Sequence, residues 1–216
     1  MLDLLKQKNP QLELHHVEST AFETYGRVIK SLDTEAILAA AGKIENPLSG
    51  SSYVASQPEF ETLAMKEAIQ NEFFGSLPAQ IGYCWGHNNF MNATVWHACS
   101  EITIAVTPLV LILGHVWDVK EDKIDSSMFQ AFYLPKGTAV EVYATTLHFC
   151  PCEVSEEGFG CVVALSQGTN TDLQIQPADK KLFRKNKWII CHEQNEALLA
   201  RGVVPGITGI NYKVAY

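Results

Sequence analysis

From Ala79 onward the apolar positions fall in short runs rich in Val, Ile, Tyr, Phe and Thr, separated by Gly, Pro, Asp and Asn. That pattern predicts strands near Gln80 to Trp85, Asn92 to Val106, Leu109 to Val119, Phe129 to Leu134, Ala139 to Ala144, Thr146 to Pro151 and Gly160 to Ser166. So many short strands in succession imply a sandwich or a barrel, and the expected class is mainly β. A further strand is expected at Trp188 to Cys191, then a short helix around Gln194 to Ala200 and a glycine-rich end from Gly202 to Asn211.

The first 80 or so residues are mixed. Asp33-Thr34-Glu35, the helix formers Ala36 to Ala41 and then Gly42 predict one short helix, with acidic residues at its start and glycine at its stop. Ser56-Gln57-Pro58-Glu59 matches a capping box with proline in the first turn, and predicts a second helix through Leu63, Ala64, Glu67 and Ala68 to Gly75. Asn46 to Ser52 reads as a loop leading into a strand at Tyr53-Val54-Ala55.

Charge and cysteine content narrow the function classes. With 16 Lys and Arg against 24 Asp and Glu, the net charge is −8, which disfavours a polyanion-binding surface. No apolar run reaches about 18 residues, and the start, Met1 to Lys6, lacks the long apolar stretch of a secretion signal, so a cytoplasmic location is expected. The six cysteines are accordingly expected to be reduced. Cys150 and Cys152, just after His148, are the one pair whose spacing brings zinc to mind, though it is not that of a structural zinc knuckle.

Two stretches carry candidate metal chemistry: Trp96 to Glu101, and Gly137 to His148. On a regular strand His97, Cys99 and Glu101 share a face, and His148 comes from a strand well separated in sequence. Two imidazoles and a carboxylate make a facial set that holds a divalent ion and leaves positions open, suited to Zn, Mn, Fe, Co or Ni. The bland alternative is two core histidines bonded to backbone and a carboxylate capping a loop.

These residues resemble the two sequence motifs of the cupin superfamily, small β-barrels that supply His, His, Glu and His to a divalent metal. His97 matches the second histidine of the first motif and Glu101 its acid, while Val95 stands where the first histidine belongs. Gly137 and His148 fit the second motif, with Tyr143 at its proline position and Thr145 at its second glycine. Within the superfamily the chain is most similar to an uncharacterised bacterial family encoded beside sugar-catabolic enzymes, through stretches such as Gln80 to Cys84 and Glu141 to His148, and more distantly to ureidoglycolate lyases. In that bacterial family a glutamate is usual where Val95 stands. The resemblance implies a cupin-type double-stranded β-helix over residues 79–216, with a C-terminal extension. Residues 1–78 are expected to pack on it as a helical and loop segment, in one structural unit.

The function so implied is metal-dependent chemistry on a small polar metabolite, foremost sugar or sugar-phosphate isomerisation or epimerisation. A lyase acting on an oxoacid derivative, a dioxygenase, and a non-catalytic sugar-binding barrel that has lost a ligand at Val95 are the alternatives. Glu153, Tyr143 and Tyr83 are the expected acid or base groups. His87, Asn89 and Asn92 in the polar cluster before the first motif, together with His115, are candidate substrate contacts. The run Lys180 to Lys187 is the one basic cluster, and Lys187 is its candidate contact to a phosphate or carboxylate. Because barrel sheets leave edges that a neighbour commonly covers, a homodimer is expected.

Overall fold

Nearly every barrel strand is apolar on both sides because both faces of both sheets are covered. Along Leu109–His115, for example, Leu109, Leu111 and Leu113 point into the barrel while Val110 and Ile112 point outward into a second core. The computed structural model describes all 216 residues.

Eight strand segments divide between two sheets. Ala79–Gly86, Phe159–Ser166, Glu101–Ala105 and Ala139–Val142 lie side by side in one sheet. In the other, Gln130–Leu134 pairs Leu109–His115, which pairs both Thr146–Leu147 and Cys152–Glu153. A bridge from His148 to Val95 joins Ala93–Trp96 to that second sheet. This order is the jelly-roll, or double-stranded β-helix, so the fold is mainly β and cupin-type.

The N-terminal residues do more than pack on the barrel. Gly26–Ile29 and Ser51–Val54 extend the two edges of the first sheet to make it six-stranded, and Leu14–His16 adds a parallel strand beside Gln130–Leu134. The helices Glu35–Ala41, Pro58–Glu61 and Ala64–Phe73 lie on the outer face of the first sheet, burying Ile37, Phe60 and Ile69 against Ile81, Ile102 and Ile104.

The single helix expected from Ser56 to Gly75 is broken at Thr62 and Leu63. Ser56 does not cap it: its hydroxyl donates to Glu61, whose carboxylate also accepts the Ile81 amide at 2.7 Å and the Lys66 amine at 2.8 Å. That carboxylate fastens the first helical turn to the sheet, and the chain has to turn to start the next helix.

The C-terminal segment forms a third sheet, with Lys187–His192 between Leu182–Arg184 and Val204–Thr208. Ala93–Trp96 also pairs with Lys187–His192, so this sheet is fused to the barrel at the edge where the candidate ligands lie. The basic run Lys180 to Lys187 is thus a hairpin, and the glycine-rich end contains a strand.

Candidate metal centre

His97, Glu101 and His148 converge: their ligand atoms all lie within 4.8 Å of one another, and all three residues are buried. They do not meet in the way strand periodicity predicts. The strand expected from Asn92 to Val106 is two strands, Ala93–Trp96 and Glu101–Ala105, which belong to different sheets. His97 follows the first and Glu101 opens the second, so the corner between sheets, and not a shared strand face, brings them together.

Asn186 holds that corner. Its backbone carbonyl accepts from His97 Nδ1 at 2.6 Å, and its side-chain Oδ1 accepts from the Ala98 amide at 2.8 Å. Its Nδ2 donates to Ser166 and Thr169 hydroxyls at 3.1 and 2.9 Å. With φ at +55°, Asn186 is in the left-handed region that asparagine tolerates better than most residues. Sequence reading attached no role to it, since its partners lie far along the chain.

His148 is fixed from the other side. Its backbone N–H donates to Val95 O at 3.0 Å and its carbonyl accepts from Val95 N at 2.6 Å. Its Nδ1 donates to the Thr146 carbonyl at 3.1 Å. A carbonyl can only accept, so both imidazoles carry hydrogen on Nδ1 and turn Nε2 toward Glu101. Glu101 Oε2 stands 3.2 Å from His148 Nε2 and 3.8 Å from His97 Nε2, while Oε1 accepts from Thr103 at 2.9 Å.

This arrangement fits a divalent ion. Ligand atoms with bonds of about 2.0–2.2 Å to one ion stand about 3–3.5 Å apart. Here Glu101 meets His148 at 3.2 Å and His97 at 3.8 Å, and all three ligand atoms lie within 4.8 Å of one another, so binding would draw them slightly together. Each imidazole has its second nitrogen anchored and the carboxylate has its second oxygen hydrogen-bonded, as ligand orientation requires. Val95, at the place of the missing motif histidine, is apolar and lines the same cavity, so no fourth side chain closes the set.

The charges are mutually adjusted. Burial and the neighbouring His148 push the His97 imidazole down to about 4. Burial also works against a charged His148, but Glu101 outweighs it and holds that imidazole above its ordinary value. For Glu101, burial opposes ionisation, while His148, His97 and the Thr103 hydroxyl together bring it below the usual carboxylate range.

The three residues sit in the wall of a cavity of about 440 Å³ at one end of the barrel interior. Leu111, Val142 and Val163 supply apolar lining, and Tyr53, Cys84 and Cys150 line it too. Lys187 and Arg201 line it as well; burial pushes the Lys187 amine below its ordinary value. Arg201 carried no signal in the sequence, and Cys84, though within a stretch that carries the family resemblance, was given no site role there.

The other expected site residues lie elsewhere. Tyr83 alternates with cavity-lining Cys84 and faces outward, against Phe60 and stacked on Trp85 at 5.0 Å. Glu153 binds His87 Nδ1 at 2.8 Å and accepts from the Tyr216 hydroxyl at 3.1 Å, outside the cavity lining. Tyr143 lies past the end of Ala139–Val142, its amide bonded to the Tyr25 carbonyl. His115 is stacked between Tyr25 and Trp117, each at 4.1 Å. Asn92 joins the loop between Ala79–Gly86 and Ala93–Trp96 to the C-terminal segment through Asn195 and Asn211, and the Asn89 carbonyl accepts from Val214. None of these seven residues touches the cavity, so the acid, base and substrate-contact roles expected of them do not extend to it.

All six cysteines are free thiols. Cys150 lines the cavity but Cys152 belongs to the outer core, so the two do not face a common ion.

Fold and site together define a double-stranded β-helix protein with a three-residue candidate metal centre at one end of its barrel. The chain belongs to the family described as a domain of unknown function, DUF4867, whose model matches residues 14–212. The sequence matches no curated protein.

Among solved structures, it is similar to Bacillus subtilis oxalate decarboxylase. A structure from work on the Mn(II) centres of that enzyme is 11% identical over 58% of this chain and 28% of that one, with a TM-score of 0.33. The structure at pH 4.6 is 11% identical over 45% and 23%, with a TM-score of 0.32. The chain thus spans about a quarter of the length of those enzyme chains, and at such scores nothing about its own chemistry follows. No helix is long and apolar enough to cross a membrane.

Proposed function

We propose that this protein is a divalent-metal-dependent enzyme acting on a small polar metabolite, and specifically a sugar or sugar-phosphate isomerase or epimerase. The observation that carries the reading is the convergence of His97, Glu101 and His148 in the wall of a cavity large enough for such a molecule, with no fourth protein ligand. Zn, Mn, Fe, Co or Ni bound there would supply positive charge to adjacent oxygens of a hydroxy-carbonyl compound and ease loss of the neighbouring C–H proton.

The chain's own residues do the rest. Leu111, Val142 and Val163 limit water around the reacting carbon, which strengthens electrostatic interactions there. The proton-moving group has to line the cavity. Of the groups that do, Tyr53, Cys84 and Cys150 carry transferable protons, and in this reading one of them moves the proton. Val95 favours a second reading, a barrel that binds sugars without turning them over, since one motif ligand is replaced by an apolar side chain.

The test is to load the purified protein with each of the five metals and incubate it with aldoses, ketoses and their phosphates in D₂O. Proton NMR should show interconversion and exchange at the carbon beside the carbonyl for one substrate class. If no member of the panel exchanges or converts with any metal, while sugars still bind, the second reading replaces the first. A homodimer also belongs to this reading: Ser51–Val54 is the edge strand of the first sheet, and a partner pairing with its outer side would cover that edge. Light scattering at micromolar protein should give twice the chain mass.

A further inference from the structure

The cations of this acidic protein are unevenly partnered. Lys66 pairs with Glu61, Arg27 with Glu141, Lys181 with Asp122 and Asp179, and Arg184 with Asp172. Lys187 and Arg201 have no carboxylate within 4.0 Å, and the side chain of neither donates a hydrogen bond to any protein acceptor, yet both line the cavity that holds the candidate metal ligands.

Lys187 begins the Lys187–His192 strand and immediately follows Asn186, which anchors His97. It is half-buried. The groups acting on it are the Cys84 thiol, Glu101, which is already engaged by two imidazoles, and the like charges of Arg201 and Arg184. A half-buried ammonium beside an unpaired guanidinium costs stability unless an anion joins them.

We propose that Lys187 and Arg201 form an anion-binding subsite of the cavity, so that the molecule held there carries a carboxylate or a phosphate. The ligand's anionic oxygens accept from Lys187 Nζ and the Arg201 guanidinium, a charge-assisted pairing. This deepens the reading above by naming the substrate class as acidic: a sugar phosphate or a sugar acid, and not a neutral sugar. The two-cation arrangement exists without the metal, so the subsite also stands or falls separately.

The experiment titrates inorganic phosphate and, in parallel, glycolate into metal-free and Zn-loaded protein at low ionic strength by calorimetry, for wild type, Lys187→Met, Lys187→Arg and Arg201→Gln. Zn uptake is measured in each. At least one anion should bind saturably to wild type, about tenfold or more weaker in Lys187→Met and in Arg201→Gln, and close to wild type in Lys187→Arg, with Zn uptake intact in all. Phosphate alone identifies a phosphate ester, glycolate alone a carboxylate. Arg201 is exposed, so Arg201→Gln tests the subsite even if Lys187→Met fails to fold. Equal anion binding in wild type and both charge-removing variants, or no saturable binding of either anion to any wild-type form, overturns the proposal. Charge-dependent anion binding without Zn uptake would leave the subsite and remove the metal reading; Zn uptake with charge-independent binding would do the reverse.

Discussion

Replacing Asn186 with glycine tests whether the corner between sheets is what makes His97 a ligand. Glycine keeps the φ of +55° at no steric cost and retains the carbonyl that His97 Nδ1 donates to at 2.6 Å. It removes the side-chain bonds to the Ala98 amide, Ser166 and Thr169. Ser166 and Thr169 still bond each other at 3.2 Å, so the main loss is the Ala98 bond, worth about 1 kcal/mol. Greater backbone freedom in the unfolded chain adds about 0.4–1 kcal/mol.

A destabilisation of about 2 kcal/mol lowers the Tm of a chain this size by roughly 4–8 °C. The larger effect falls on the metal. Losing a group that orients a ligand typically costs about 10–100-fold in metal affinity. Zn titration by calorimetry, against a competing chelator, should therefore show Asn186→Gly weaker by that factor at a temperature where it remains folded. If Asn186→Gly melts lower but binds Zn as tightly as wild type, His97 does not depend on this bracket and the corner account is wrong.

Three further predictions concern charge and packing. Because His97 is depressed to about 4, metal-free protein loses stability as pH falls from about 6.5 toward that value; because His148 is raised, the stability its pair with Glu101 contributes is full below about 6.5 and fades as pH climbs through the raised value. Melting of metal-free protein should show both limbs, with the alkaline one removed by Zn; a Zn-free profile flat across the alkaline limb would contradict the Glu101–His148 pairing. Val95→Glu should add a fourth ligand and tighten Zn binding, despite an overpacking cost of about 1–3 kcal/mol, and unchanged affinity would show that Val95 does not face the ion. Glu61→Ala should lower stability by about 2 kcal/mol, read by urea titration, and leave Zn affinity alone, since its carboxylate fastens a helix to the far face of the sheet.

Much of the architecture was legible because strand periodicity and turn chemistry are local. Runs such as Leu109 to Leu113 announce a strand whichever side is covered, and Glu35 to Ala41 shows its helix in composition alone. What local reading could not give was where the chain changes sheets: Trp96 to Glu101 holds neither glycine nor proline, so nothing there marks a corner. His97, Glu101 and His148 were nameable from residue type and motif spacing, yet their meeting depends on Asn186, about 90 positions from His97, a distance no local pattern spans. Face assignment explains the residues that lie away from the cavity. Tyr83 is one position from Cys84, and on a strand one position is the opposite side. Arg201 reaches the cavity only because the C-terminal sheet is fused to Ala93–Trp96, a tertiary fact with no sequence signature.

The central claim is that His97, Glu101 and His148 together hold one divalent ion. Glu101→Gln keeps the volume of the side chain and removes its charge, so calorimetric titration of Zn into wild type and this variant reads the claim with little change in packing. One Zn per chain in wild type, with that site lost or severely weakened in Glu101→Gln, is the predicted result. Equal stoichiometry and affinity in the two proteins would contradict it.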